Sequence, residues 1–165
     1  MTRAKIFLPL LLLVVLGGYI IQQRFSDSVS FQASVDSLTT NSTVSIGSDT
    51  YIVELATTPI EKSQGLADRD TLGTDAGMLF VFSPAEQPAF WMRDMRFSID
   101  IVWIKNQKII GLEKNLPVPN PKTALENLSN YPAPDLVDYV LEINAGRAAN
   151  YRVGDSVVIG NPEST

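Results

Sequence analysis

The chain has 165 residues, 45% hydrophobic and 19% charged, with 13 Lys+Arg against 18 Asp+Glu for a formal net charge of −5. It contains neither cysteine nor histidine. Those zeros exclude disulfides, thiol nucleophiles, zinc sites built on Cys or His, and the Ser-His-Asp triad. The acidic balance, without a Lys/Arg run, argues against a nucleic-acid partner.

Ile6 to Ile21 carries no charge, and Arg3 and Lys5 precede it. As a helix this run covers about 24 Å, and Lys5 and Arg24 can snorkel to make a span feasible. Residues 1–24 therefore read as an N-terminal hydrophobic helix: a signal anchor that leaves the rest extracytoplasmic and joins it to the membrane, or alternatively a signal peptide whose cleavage gives a secreted or periplasmic protein. Residues 25–42 are rich in Ser, Thr, Gln, Asp and Asn and read as a polar linker. Short apolar runs separated by turn residues then mark a domain over 43–160, with 161–165 as a tail.

Val44–Ile46 and Tyr51–Leu55 flank Gly47-Ser48-Asp49 as a hairpin. Thr58-Pro59 supplies an N-cap and a proline at the first helical position, for a short helix over about 59–66. Met78–Phe82 is an apolar strand with almost no polar alternation. Ala89–Met92 and Ile99–Lys105 follow, and Asn106-Gln107 turns the chain into Lys108–Glu113. Pro117 to Pro134 holds five prolines and reads as a long loop with at most a helical turn near Ala124–Leu128. Tyr139–Ile143 is a strand, 145–151 a turn of helix, and Ser156–Ile159 the last strand. These elements define an α+β, mainly β class: a compact antiparallel or mixed β-barrel-like domain with one or two short helices. No helical pattern is long enough for a parallel βαβ crossover, which argues against a parallel βαβ architecture.

The densest polar chemistry is Phe90-Trp91-Met92-Arg93-Asp94-Met95, followed by Asp100. Alternation puts Phe90 and Met92 on one strand face and Trp91 and Arg93 on the other. Arg93 either grips a ligand carboxylate or phosphate or pairs with Asp94 to pin a hairpin. Arg69 is either a second cation in the same pocket or a loop clamp on Asp70. Glu54, Glu113 and Glu142 interrupt apolar strands; facing inward, such a carboxylate must be paired or protonated, whereas facing solvent it needs no explanation. Phosphate-binding glycine loops, GxSxG and EF-hand spacings are absent, so no cofactor and no metal are expected.

Several blocks together resemble one family: Gln64–Leu72, Gly77–Phe82, Phe90–Met95 with Ile99–Ile101, then Tyr131–Ala133, Tyr139–Glu142 and Gly154–Val157. In this order, over about 52–159, they are similar to DUF192, a group of uncharacterised exported or membrane-anchored prokaryotic proteins. The chain departs from the family pattern at Ala67, where a methionine is usual, at Asp94-Met95, where Asn-Thr is more common, and at Ser98-Ile99, where a proline is expected. The resemblance implies a mainly β domain behind an export signal and brings no activity with it.

The expected function is non-catalytic binding of a small anionic or cell-envelope ligand, with Arg69, Trp91, Arg93 and Asp100 lining the site. The alternative is a glycosidase-like hydrolase using a carboxylate pair from Asp94, Asp100, Glu113 and Glu142. A structural or interaction domain is the third reading.

Overall fold

The computed structural model describes residues 42–160. The expected 1–24 helix, most of the 25–42 linker and the 161–165 tail lie outside the described residues. Among the described residues no helix is long and apolar enough to cross a membrane.

The domain is mainly β. Strands β1 (Ser42–Ile46) and β2 (Asp49–Ala56) form the expected hairpin. Helix α1 (Pro59–Gln64) follows, its start fixed by Thr58 at the N-cap. The Thr58 side chain accepts from the Glu61 N–H while the Glu61 carboxylate accepts from the Thr58 N–H, a reciprocal capping box. Next come β3 (Ala76–Glu86), β4 (Ala89–Trp91), β5 (Ile99–Lys105) and β6 (Lys108–Leu116). A 3₁₀ turn at Leu125–Asn127 precedes β7 (Asn130–Pro132), β8 (Val137–Asn144) and β9 (Val157–Gly160).

Seven strands form one sheet in the order β6-β5-β8-β3-β2-β1-β9, and β4 pairs with β7 as a separate ribbon. The large sheet curls into a half-barrel. At one end its two edges meet: Lys108 bridges Ser156, the Ile109 N–H donates to the Asp155 carbonyl at 3.0 Å, and the Val157 N–H donates to the Gln107 carbonyl at 2.9 Å. The pairing is antiparallel except between β2 and β3, which run parallel. That one parallel pair makes the sheet mixed, one of the two forms expected. The crossover through residues 57–75 needs only the short α1, because the loop after it supplies the remaining length.

The curl separates two cores. Its interior takes side chains from every strand of the sheet, among them Val44, Tyr51, Leu79, Leu141, Val102, Ile109 and Val157, and is covered by Ala148 and Tyr151. The outer face buries Met78, Phe80, Phe82, Val140, Ile101 and Trp103 under Leu66, Met92, Met95 and Ala133. The ribbon docks on this outer face through Phe90, edge-to-face against Phe80 with ring centroids 4.8 Å apart and against Trp103 at 5.4 Å.

Candidate functional site

Register decides what the outer face presents. Glu113 of β6 pairs with Ile101 of β5, Ile101 with Glu142 of β8, Glu142 with Met78 of β3, and Met78 with Glu54 of β2. Directly paired residues share a face, so the three glutamates lie in one row across the sheet, alternating with apolar residues. The row runs from a half-exposed Glu113 through a buried Glu142 to an exposed Glu54.

Glu142 lies beneath a cavity of about 220 Å³ between α1 with residues 65–67 on one side and β4 on the other. Phe80, Phe82, Phe90, Leu66 and Met95 give it apolar walls; Trp91, Arg93 and Lys62 bring polar chemistry to it. Gly65 makes the close approach possible. Its φ is +52°, and a Cβ there would meet the Phe80 ring at 3.3 Å and Glu142 Oε2 at 3.8 Å.

Glu142 is 5% exposed, and among the described residues its Oε2 has no hydrogen-bond partner. Burial pushes its pKa up from 4.5 to about 8, against the opposing pull of Arg69. Burial thus favours the protonated form of this carboxyl. Arg69 does not relieve it, because its guanidinium forks onto Glu54, with Nη2 donating to Oε2 at 2.8 Å and Nη1 to Oε1. The fork holds the Glu54 carboxyl below its ordinary range.

Arg93 is differently placed. Its guanidinium lies 4.9 Å from the Trp91 ring centroid, a cation–π stack. Among the described residues its buried Nε has no hydrogen-bond partner and stands 3.5 Å from Asp94 Oδ2, an ion pair too long for a good hydrogen bond.

Of the expected site residues, Trp91, Arg93 and Glu142 come together at the cavity. Arg69 lies close enough to Glu142 to act on it electrostatically but does not line the cavity, and its clamp is on Glu54 instead of Asp70. Asp70 pairs with Arg96 at 2.7 Å. Asp94 lines an adjoining cavity under the 118–128 loop, which Arg93 shares. Asp100 is turned the other way. Fully buried, it accepts from the Asn115 N–H and the Ala148 N–H at 2.7 Å each, so its lone pairs are committed to backbone. Glu113 sits beyond Ile101, outside the lining. Lys62, with Nζ 4.2 Å from the Phe82 ring centroid, was not among the expected residues. Its one sequence signal was its place on the short capped helix facing an apolar strand.

The fold and cavity define a small curled-sheet domain with a cavity of about 220 Å³ on its outer face. The chain belongs to the DUF192 family, described as an uncharacterized ACR, whose profile matches residues 42–159. It is similar to the crystal structure of a protein of unknown function from Novosphingobium aromaticivorans, at 31% identity and TM-score 0.61 over 71% of this chain and 82% of that one. A protein from Sinorhizobium meliloti, provisionally described as a transcription regulator, matches at 28% identity and TM-score 0.60 over 71% and 90% of the two chains. No curated protein matches the chain.

Proposed function

We propose that the domain binds a small anionic molecule, metabolite or envelope-derived, in the cavity above Glu142 with Arg93 as the anion-binding group. One observation carries this reading: a cavity of about 220 Å³ has an arginine stacked on tryptophan at one side and a buried, unpartnered carboxyl at another. Aromatic and aliphatic walls with a small number of convergent polar groups are the usual form of a small-ligand pocket, and here Arg93, Lys62 and Glu142 converge among Phe80, Phe82 and Phe90. Lys62 adds a second positive charge. A regulator-like role on nucleic acid draws no support from a net charge of −5.

The test is thermal melting of the full-length protein with millimolar benzoate, glucuronate or inorganic phosphate. At least one should raise the melting temperature, and Arg93→Ala should remove the gain while leaving the unliganded melting temperature within about 2 °C. Unfolding of the Arg93→Ala protein, with no anion shifting the parent, would make the arginine structural and end the binding reading.

The hydrolase alternative draws on the same carboxyl, since a glutamate titrating near 8 is poised as a general acid. It ranks second because Glu142 is the one carboxylate in the cavity lining, leaving no partner there to activate water. Turnover that Glu142→Gln abolishes, with ligand affinity retained, would reverse that ranking.

We also propose that the domain works outside the cytoplasm, tethered by the hydrophobic run Ile6–Ile21. Salt-resistant membrane association of the full-length protein supports the tether, whereas a shorter soluble form supports cleavage.

A further inference from the structure

The surroundings of Glu142 narrow the class of ligand. Its cross-strand neighbours are Met78 and Ile101, its same-face neighbour across the β3 ladder is Phe80, and a Cβ at Gly65 would come within 3.8 Å of Oε2. The charged group that acts on it is Arg69, whose fork is committed to Glu54. A carboxylate held among apolar groups with no cation bonded to it keeps its proton. It then meets a ligand as an O–H donor as well as an acceptor. Arg93 carries a fixed charge at the same cavity, with a buried Nε still unbonded. The site is thus polarised: a permanent cation at one place, a neutral acid at another, and aromatic walls between.

Resting on the binding reading above, we infer that the occupant is a small organic anion whose charged group meets Arg93 and whose buried end is a neutral hydrogen-bond acceptor, a carbonyl, amide or hydroxyl oxygen, receiving the Glu142 O–H. An amine is the wrong partner for that floor. It would require Glu142 to ionise in apolar surroundings, and it would bring a third cation into a cavity already lined by Arg93 and Lys62. The unbonded carboxyl is itself a reason to look for function. Left unpaired it costs stability that a methionine of similar volume would not.

Three matched probes separate the possibilities in calorimetric titrations of the full-length protein: 4-acetylbenzoate, 4-isopropylbenzoate and 4-(aminomethyl)benzoate. They share the carboxylate and ring and differ at the far end in a carbonyl, an apolar isostere and an ammonium. The expected result is that 4-acetylbenzoate binds about tenfold more tightly than either of the others, the size of one neutral hydrogen bond. Glu142→Gln, whose amide still donates, should keep that preference. Glu142→Met should erase it while raising the melting temperature of the unliganded protein. Arg93→Ala should weaken all three probes without changing their order. Tighter binding of the aminomethyl probe, or equal binding of the acetyl and isopropyl probes, overturns the inference about Glu142 and leaves the anion site standing. Failure of all three to bind, together with no melting shift from benzoate, glucuronate or phosphate, overturns the binding reading with it.

Discussion

The two faces of the curled sheet each bury a carboxyl group, and they treat it in opposite ways. Inside the curl, Asp100 is fully buried and both of its oxygens accept backbone N–H groups, from Asn115 and Ala148. Those two bonds, with Lys114 Nζ donating to the Ala149 and Tyr151 carbonyls at 3.1 Å each, hold the 145–151 segment over the inner core. On the outer face, Glu142 is nearly as buried, has an oxygen with no partner among the described residues, and borders a cavity. The same chemical group is a finished structural element in one place and an unspent valence in the other. Burial alone therefore does not mark a site. Burial without a partner, next to space, does.

The largest expected effect tests the finished half. Asp100→Ala removes the acceptors of two backbone N–H groups, a buried one at Ala148 and a part-buried one at Asn115. Each unsatisfied donor costs about 1–3 kcal/mol, so the loss should be about 2–6 kcal/mol in urea unfolding. A loss below about 1 kcal/mol would show that the 145–151 segment is held by its apolar contacts and would dissolve the contrast.

Glu142→Met should go the other way, stabilising the protein by about 1–3 kcal/mol at pH 7. The pH dependence sharpens the same point. A carboxyl whose pKa is about 8 when folded and 4.5 when unfolded keeps its proton in the folded state over an interval where the unfolded chain has released it. Its contribution is therefore greatest below pH 4.5, declines by up to about 1.4 kcal/mol per pH unit through the interval, and is fully lost above pH 8. Urea midpoints at pH 5 and pH 8 should fall more steeply with pH in the parent than in Glu142→Gln, which has nothing to titrate. Parallel profiles would mean that Glu142 ionises normally and that the outer face is no more strained than the inner one.

Much of the architecture was legible locally. The Thr58-Pro59 pair announces α1, and Ile99–Lys105 followed by Asn106-Gln107 announces the β5–β6 hairpin. Both turn residues do have positive φ, 49° and 57°, as a two-residue hairpin turn requires. What depends on register was not legible. Glu54, Glu113 and Glu142 each stand out in an apolar strand, but only the order β6-β5-β8-β3-β2 puts them in one row, and no local pattern encodes that order. The same holds for Arg69, whose partner is Glu54 on β2 instead of the adjacent Asp70. Asp100 looked like a site residue for the reason it is a structural one: a carboxylate at the start of an apolar strand must find donors, and here the backbone supplies them. β7 went unseen because prolines surround it, and a three-residue ribbon strand needs few free N–H groups.

The smallest expected changes in stability come from the Arg69–Glu54 fork, which is partly exposed on both sides, with side chains 34% and 57% accessible. Exposed ion pairs contribute about 0–1 kcal/mol, so neither Arg69→Ala nor Glu54→Gln should move the urea midpoint much. Their effects on Glu142 should nevertheless have opposite signs. Arg69→Ala removes the cation that opposes the burial effect, so the Glu142 titration should move upward. Glu54→Gln removes a negative charge from the same row and frees the guanidinium to turn towards Glu142, so the titration should move downward. Carboxyl ¹³C shifts of Glu142 followed against pH read both directly. Opposite displacements would establish that the neutral floor of the cavity is maintained because Arg69 is held by Glu54. No displacement in either variant would mean that apolar burial alone sets the state of Glu142, and the fork would then be a surface clamp with no part in the site.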